Sequence, residues 1–151
     1  MTEPILETPE LQALLAHRYP FLLVDRVRVL DAGRHVVGTR RVSANEWWCD
    51  PQAPGTAYMP FGLVIEALAQ TTGALLRDLT DDAPGAIAYF MGANRVRLRR
   101  PVWPGDELEL AVTLLHWRRG ICRTRGVATV GGALVASAVL TIVVRGTSSG
   151  S

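Results

Sequence analysis

The most apolar segment of the sequence, residues 61–79, carries a single glutamate, Glu66. A carboxylate surrounded by hydrocarbon is costly unless it is paired or reaches a polar cavity. At helical spacing Gly62, Glu66, Gln70 and Gly73 share one face, which forms a small and polar stripe on an otherwise apolar helix. The stripe leaves room for an elongated ligand beside a carboxyl group. The alternative is that Glu66 faces solvent or caps a neighbouring loop.

The start of the same helix offers a second chemical group. Near Pro60, Phe61 and Gly62 the first backbone N–H groups lack partners inside the helix, and the positive end of the helix dipole lies there. Such N–H groups can hold a carbonyl oxygen while negative charge develops on it. Together with the carboxyl group of Glu66, they would serve a carbonyl substrate.

Strands and one long helix are the elements that must position these groups. A short helix begins with Thr8 as its N-cap and ends near Ala16, and an aperiodic loop spans residues 43–60. Alternating apolar residues and glycine-containing turns predict strands at 21–30, 35–42, 86–91, 95–99, 107–117, 121–130 and 133–144. One apolar helix and at least five antiparallel strands predict an α+β domain, with a curved sheet wrapped around the helix.

Composition limits the class of protein. The chain has 151 residues, of which 48% are hydrophobic and 20% charged, and its net charge is +2. We expect one domain at 1–145 with a flexible tail at 146–151. All 16 basic residues are arginine, and the small net charge excludes nucleic acid as the default partner. The longest apolar run, residues 61–76, is shorter than the ~20 residues that a bilayer needs, so no membrane partner is expected.

The sequence also predicts a cytoplasmic protein without a metal site. No targeting segment is visible at the N-terminus. Two cysteines, Cys49 and Cys122, do not make a disulfide framework and are interpreted as reduced. No cluster of cysteine, histidine and aspartate has metal-ligand spacing, and no glycine-rich phosphate loop precedes a helix.

Several segments of the chain carry recognisable motifs: residues 17–26 (HRYPFLLVDR), 65–70 (IEALAQ), 89–92 (YFMG), 99–106 (RRPVWPGD) and 118–120 (RRG). From about residue 14 to residue 144 they resemble, in order, the 3-hydroxyacyl-acyl carrier protein dehydratases of fatty acid synthesis. The resemblance implies the hot-dog fold, a sheet wrapped round one long helix, and an assembly of dimers. It also implies an acyl thioester substrate, carried on the phosphopantetheine arm of acyl carrier protein, and no further cofactor.

The resemblance assigns the catalytic roles only in part. Those dehydratases pair a loop histidine, in a His-Phe-Pro-Gly pattern, with a helix carboxylate across the dimer interface. Here the loop reads Gln52-Ala53-Pro54-Gly55, while Glu66 keeps the carboxylate position. A glutamine amide is too weak a base to take a carbon-bound proton. The family's glycine at the helix start falls at Phe61, so the candidates for holding the thioester oxygen are the N–H groups of Phe61, Gly62 and Gly55.

Other residues receive roles along the substrate path or at a partner surface. Candidates for the substrate tunnel are Gln70, Gly73, Trp48, Tyr89 and Phe90, although the pair Trp47 and Trp48 equally suits packing of the loop onto a dimer partner. Candidates for docking an acidic carrier protein are Arg95, Arg97, Arg99 and Arg100. Alternation places Arg95, Arg97 and Arg99 on one strand face, for which the alternative is a solvated surface. The three histidines, His17, His35 and His116, are interpreted as structural.

Three hypotheses for function follow. In the first, the chain is a dehydratase-type subunit that contributes Glu66 to a site completed by the histidine of a partner in a heterodimer. In the second, it is an acyl thioesterase in which Glu66 activates water and Gln52 orients it. In the third, it is an inactive subunit that binds acyl chains or carrier protein. A homodimer remains open beside the heterodimer.

Overall fold

Seven strands form one antiparallel sheet in the order β1-β2-β3-β5-β6-β7-β4. A computed structural model describes residues 2–80 and 85–146, so the predicted tail at 146–151 lies, apart from Gly146, outside the described residues. The strands are β1 (Ile5–Leu6), β2 (Arg26–Asp31), β3 (His35–Arg41), β4 (Ile87–Leu98), β5 (Glu107–Arg118), β6 (Ile121–Val130) and β7 (Ala133–Arg145).

Two α-helices accompany the sheet. The short helix α1 spans Thr8–Leu14, and the central helix α2 spans Phe61–Leu76 and continues into one 3₁₀ turn at Arg77–Leu79. Helix α2 contacts strands β2 to β7, so the sheet wraps around it. This is the α+β hot-dog arrangement predicted from the sequence. In the described part of the chain, no helix is long and apolar enough to cross a membrane.

The core lies between α2 and the inner face of the sheet. Strand β5 shows why: its apolar residues Leu108, Leu110 and Val112 alternate with exposed ones and are fully buried. The helix supplies the facing surface with fully buried side chains, among them Val64 and Leu68. Burying apolar surface on both elements holds the helix in place and fixes the direction of its polar stripe.

Two glycines let the sheet approach α2 closely. A Cβ atom at Gly38 of β3 would lie 2.6 Å from the Thr71 hydroxyl oxygen, and one at Gly126 of β6 would lie 3.1 Å from the Leu68 methyl groups. The first distance is shorter than any real contact of a Cβ atom. A larger residue at Gly38 would therefore push the helix away from the sheet.

Strand β4 differs from the strands that surround the helix. It lies at the edge of the sheet and pairs only with β7. Most of its residues are exposed on both faces, and the exposed set includes large apolar side chains: Ile87, Tyr89, Phe90, Met91, Val96 and Leu98. Register shifts interrupt its pairing between Phe90 and Gly92 and between Asn94 and Arg97.

The structure corrects several boundaries. The predicted strand at 21–30 begins only at Arg26, because the backbone at Phe21 and Leu23 bonds to the Gln70 side chain instead of to a neighbouring strand. The two short strands predicted at 86–91 and 95–99 are one bulged strand, β4.

The N-terminal region needs two further corrections. Glu7, and not Thr8, is the N-cap of α1, where its backbone N–H donates to the Glu10 carboxylate at 3.0 Å. Strand β1 was absent from the sequence prediction, since two residues give no readable alternation. It pairs with β2 and extends the sheet at the edge opposite β4.

Candidate active site

Glu66 lies on the second turn of α2, on the polar stripe, with 26% of its side chain exposed. One carboxylate oxygen, Oε1, has two partners. The Nε2 group of Gln70, one turn further along the helix, donates to it at 3.1 Å, and the Nε2 atom of His17 lies 3.3 Å away. Among the described residues Oε2 has no hydrogen-bond partner. Glu66 therefore belongs to a small polar cluster and does not simply face solvent.

Gln70 ties this cluster to the segment that precedes β2. Its side chain is 2% exposed. Its Oε1 accepts the backbone N–H of Leu23 at 2.8 Å, and its Nε2 donates to the carbonyl of Phe21 at 2.7 Å. The Leu23 N–H requires an oxygen at that position, so the NH₂ group must face Phe21 and Glu66.

His17 reaches Glu66 from the loop between α1 and β2. That loop also contains a cis peptide bond between Tyr19 and Pro20. The side chain of Arg18 donates to the carbonyls of Leu15 and His17, which closes the loop on itself. The Nδ1 atom of His17 is buried and has no hydrogen-bond partner in the described structure. The Nε2 atom is within ion-pair distance of Glu66, at 3.3 Å from Oε1.

The start of α2 lies one turn before Glu66. The N–H groups of Leu63 and Val64 donate to the Pro60 carbonyl and are the first N–H groups engaged in the helix. The N–H groups of Phe61 and Gly62 come before them and have no backbone partner among the described residues. Gly62 is exposed, and a Cβ atom there would meet no other atom within 4 Å. Open space thus adjoins Gly62 at the positive end of the helix, where the N–H groups of Phe61 and Gly62 lack backbone partners.

Gln52 lies on the exposed loop before α2, apart from the Glu66 cluster. Its backbone N–H donates to the Asp50 carboxylate at 2.9 Å and not to a group of α2. In the described structure no hydrogen bond joins its side chain to Glu66. Gly55 is likewise exposed, in the 3₁₀ turn Pro54–Thr56. Within one chain, the loop and the helix carboxylate do not form a joint site.

The same loop is anchored at its beginning by an ion pair and by aromatic contacts. Arg40 of β3 pairs with Glu46, and both side chains are largely buried. Trp47 stacks on Phe21 with ring centroids 6.3 Å apart, and the edge of Trp48 meets Trp47 at 5.6 Å. Trp48 is partly buried and packs on the core. The anchored part of the loop thus lies against the segment that Gln70 holds.

The remaining tunnel candidates lie in two different places. Gly73 is a packing site, because a Cβ atom there would lie 2.6 Å from a methyl group of Leu15. With Gln70 also enclosed, protein atoms fill the space beside the second half of the stripe. Tyr89 and Phe90 are about half exposed on the edge strand β4. The first half of the stripe is more open, with free space at Gly62 and a partly exposed Glu66.

The arginine candidates separate into two groups. Arg95 and Arg97 of β4 and Arg125 of β6 line a groove of about 400 Å³ on the outer face of the sheet, with Ser137 and Val139 of β7 beneath. None of the three arginines forms an ion pair within the described residues. Arg95 has a left-handed backbone, φ 52°, inside the register shift of β4.

The other two arginine candidates lie outside this groove. Arg99 directly follows the last residue of β4, and its backbone N–H still donates to the carbonyl of Val135 in β7 at 2.8 Å. Arg100 lies 3.7 Å from the Asp106 carboxylate. The bulge between Asn94 and Arg97 interrupts the alternation from which a common face of Arg95, Arg97 and Arg99 was predicted, although Arg95 and Arg97 still line one groove. Arg125 belongs to a second arginine-rich stretch of the sequence, and strand pairing places it beside Arg95 and Arg97.

The two free cysteines lie in different surroundings. Cys122 is fully buried in a small cluster with Leu76 and Ile142, and burial raises the pKa of its thiol to about 11. Cys49 is partly buried, and its Sγ atom faces the carbonyls of Ser43 and Ala57, both at 3.9 Å. Residues 2–80 and 85–146 contain no group of three side chains suited to hold a metal ion.

A family model described as the FabA-like domain matches residues 15–139. The chain belongs to the FabA-like domain family. Two curated relatives, both called 3-hydroxyacyl-[acyl-carrier-protein] dehydratase FabZ, come from Syntrophotalea carbinolica and Roseiflexus castenholzii. The first is 46% identical over 135 residues, with 89% of this chain and 92% of the relative covered. The second is 44% identical over 131 residues, with 87% and 91% covered.

Solved structures share the fold of this FabA-like domain. The dehydratase heterocomplex ApeI:P from Xenorhabdus doucetiae contains a chain with a TM-score of 0.72 and 20% identity, and 91% of each chain is covered. A hypothetical thioesterase from Streptococcus pneumoniae with coenzyme A has a TM-score of 0.61 and 18% identity, with 80% of this chain and 86% of that chain covered. At these identities the likeness shows the fold alone.

Sequence reasoning missed the contact between His17 and Glu66. The two residues are 49 positions apart, and His17 was interpreted as structural because it belongs to the HRYPFLLVDR segment. The signal that could have found it is Gln70. An amide on the same face as Glu66, inside an apolar helix, must bond to a neighbouring backbone, which brings the segment around His17 to the carboxylate.

Proposed function

We propose that this FabA-like domain is a dehydratase-type subunit that acts on 3-hydroxyacyl thioesters carried by acyl carrier protein. The observation that carries the proposal is the Glu66 carboxylate. It has one free oxygen, lies one turn from two free N–H groups, and sits in a chain 46% identical to a FabZ dehydratase. In this role Glu66 is the general acid, and the Phe61 and Gly62 N–H groups hold the thioester oxygen.

The reaction needs a base that this chain does not place beside Glu66. The base takes a proton from the carbon next to the thioester carbonyl, and the resulting charge moves onto the thioester oxygen. Protonated Glu66 gives its proton to the β-hydroxyl group, which leaves as water. The product is a 2-enoyl thioester. Gln52 cannot be the base because its amide is not basic, and its side chain is separate from Glu66 in the chain.

We infer that a histidine on the loop of a second subunit completes the site. The exposed loop around Gln52 and the open stripe near Glu66 both suit a site shared between chains. The edge strand β4 suits the contact, because its outer N–H and C=O groups are unpaired and its large side chains are exposed. Antiparallel pairing of two β4 strands would continue the sheet across the dimer.

A complementation experiment with the chain's own variants tests this split. The double variant Gln52→His/Glu66→Gln carries a loop histidine without the acid, and the wild-type chain carries the acid without the histidine. Mixed after joint refolding, they form heterodimers with one complete site. We expect formation of enoyl-carrier protein in the mixture at a rate at least about 100-fold above either protein alone.

Controls in the same experiment separate the alternatives. The matched control Glu109→Gln neutralises an exposed carboxylate on β5 and should complement as well as the wild type. If native mass spectrometry shows the heterodimer but no enoyl product forms, the split site is wrong. Release of free thiol from simple acyl thioesters by the wild-type chain alone, lost in Glu66→Gln, would favour the thioesterase instead.

We further propose that the groove of Arg95, Arg97 and Arg125 docks the acidic carrier protein. The three guanidinium groups form no ion pair among the described residues and can bind carboxylates of a partner. Small and apolar side chains of β6 and β7 line the rest of the groove. In the complemented heterodimer, Arg97→Glu/Arg125→Glu should raise KM about tenfold for the carrier-linked substrate and leave KM unchanged for a pantetheine-linked one. The control Arg34→Glu/Arg118→Glu has the same net charge and should leave both KM values unchanged. Equal effects of the two pairs would contradict a local docking site.

A further inference from the structure

A largely buried ion pair holds the start of the loop that carries Gln52. The Nη2 group of Arg40, on β3, donates to the Oε1 atom of Glu46, and only 13% and 15% of the two side chains are exposed. Removing two charges from water costs about as much as their attraction returns, so the net gain in stability is small. What the pair does fix is the position of the loop relative to β3.

The same guanidinium group also reaches the segment before β2. Its Nη1 group donates to the Leu22 carbonyl and to the Asp25 carboxylate, each at 3.5 Å, which is near the limit for a hydrogen bond. Its Nε atom is buried and has no hydrogen-bond partner in the described structure. Because Nη2 binds Glu46, the two Nη groups join the start of the loop to the segment that Gln70 holds from α2.

A series of turns connects this anchor to Gln52. The N–H of Cys49 donates to the Glu46 carbonyl, and the N–H of Ala53 donates to the Asp50 carbonyl, both at 3.0 Å. The N–H of Gln52 donates to the Asp50 carboxylate at 2.9 Å. Since each turn limits the next, a displacement of Glu46 would also displace residue 52.

We propose that Arg40 is a positioning residue, which acts through Glu46 to place residue 52 of the loop for a site completed by a second subunit. The proposal rests on the proposed function, in which the loop of one subunit faces Glu66 of the other. A loop group that must reach a carboxylate on another chain takes its position from contacts within its own chain. A misplacement of about 1 Å lowers the rate of such a reaction about 100-fold.

Hydrogen exchange measured by mass spectrometry tests the anchor without any activity. Glu46→Ala removes the carboxylate and leaves Arg40 with Asp25, so the guanidinium group keeps an acidic partner. We expect peptides from residues 45–56 to exchange about tenfold faster, and peptides from β6 to be unchanged. The matched control Glu107→Ala breaks the exposed pair between Arg41 and Glu107 and should leave loop exchange unchanged. Unchanged loop exchange in Glu46→Ala would overturn the proposal, whether or not the chain is a dehydratase.

Kinetics of the complemented heterodimer test the consequence for the site. The loop that faces the complete site belongs to the Gln52→His/Glu66→Gln chain. Glu46→Ala in that chain should lower kcat about 10- to 100-fold while KM changes less than about twofold. Glu46→Gln keeps an oxygen that accepts from Arg40 and should restore kcat to within about fivefold. Arg40→Met should match Glu46→Ala, and the double variant should lose no more than either, because both changes remove one contact.

The chain that receives the substitution separates positioning from a general structural effect. In the chain that contributes Glu66, Glu46→Ala alters a loop that faces only the incomplete site, so kcat should fall less than about threefold. Equal losses from the two placements would overturn the proposal. If the parent mixture forms no enoyl product although the heterodimer is present, the proposed function fails, and hydrogen exchange alone decides whether Arg40 anchors the loop.

Discussion

The centre of the sheet and its β4 edge are built for different surroundings. Strands β5 and β6 alternate buried and exposed residues over much of their length, most residues of β7 are buried or half-buried, and α2 covers the inner faces of all three. Strand β4 shows no such alternation, and Tyr89, Phe90 and Met91 are exposed one after another. The centre is complete within one chain, whereas an exposed apolar edge of this size is typical of a surface that another chain covers.

The candidate site follows the same division. The cluster of Glu66, Gln70 and His17 depends on α2 and on backbone groups of its own chain, so one chain forms it completely. The loop with Gln52 lies exposed and contributes nothing to that cluster. A shared site would therefore combine the Glu66 cluster of one subunit with the exposed loop of another.

The variant with the largest expected effect places a charge on the exposed edge strand β4 and tests whether another chain covers it. Met91 is the most exposed of the large apolar residues of β4, at 64%. Met91→Asp would bury an unpaired carboxylate in any contact between two edges, so we expect a dimer at micromolar concentration to become monomeric. Complementation between chains should be lost with it. Sedimentation velocity measures the first effect and the enoyl assay the second.

Leu115→Asp is the matched control for this edge variant. Leu115 is exposed at 48% on β5, away from the edge. The control should keep the wild-type assembly and activity. If Met91→Asp remained a dimer, or if the wild-type chain were monomeric, β4 would not be the contact and the split site would lose its support.

The centre was predictable from the sequence and the edge was not. Alternation in residues 107–117 and glycine-containing turns on either side of residues 121–130 predicted β5 and β6 to within one residue, because burial on one face of a strand imposes the first pattern and a tight hairpin turn requires the second. In β4 the bulges at Gly92 and Arg95 break the period, and exposure on both faces removes the apolar contrast on which the pattern depends. Residues 86–91 and 95–99 therefore read as two strands.

The site shows the same limit. Glu66, Gln70 and the helix start were identified from one helix, where spacing alone decides which residues share a face. His17 was missed because its contact depends on how the loop before β2 folds back onto α2. The left-handed backbone of Arg95 and the neighbour Arg125 depend on strand register, which single-sequence patterns do not give.

The centre should be far more sensitive to lost packing than the edge. Leu68 is fully buried on α2, against Gly126 of β6. Leu68→Ala removes buried methyl groups and leaves a cavity that the rigid sheet cannot fill, so we expect the free energy of unfolding to fall by about 2–5 kcal/mol. The free energy of unfolding is measured by chemical denaturation of Leu68→Ala in the Met91→Asp background. Because that background is expected to be monomeric, dissociation of a dimer does not contribute to the measured loss. Leu134→Ala, at a partly exposed position of β7, is the control and should cost less than about 1 kcal/mol.

A smaller effect should appear with pH, again from the centre. The pKa of Cys122 is raised from 9.0 to about 11 by burial. Between pH 9 and 11 the thiol ionises in the unfolded chain but stays mostly neutral in the folded chain. Loss of the proton therefore stabilises the unfolded state relative to the folded one. The contribution of this thiol to the free energy of unfolding is fully present below pH 9. It falls by at most about 2–3 kcal/mol as the pH rises from 9 to 11.

The variant Cys122→Ala isolates this contribution, because other groups also titrate in the alkaline range. The wild-type chain should lose more unfolding free energy between pH 9 and 11 than Cys122→Ala does, and Cys49→Ala should retain the wild-type difference. Identical pH dependence of the wild type and Cys122→Ala would mean that water reaches the thiol. The centre of the sheet would then not be closed to solvent, and its contrast with the exposed β4 edge would be smaller than described.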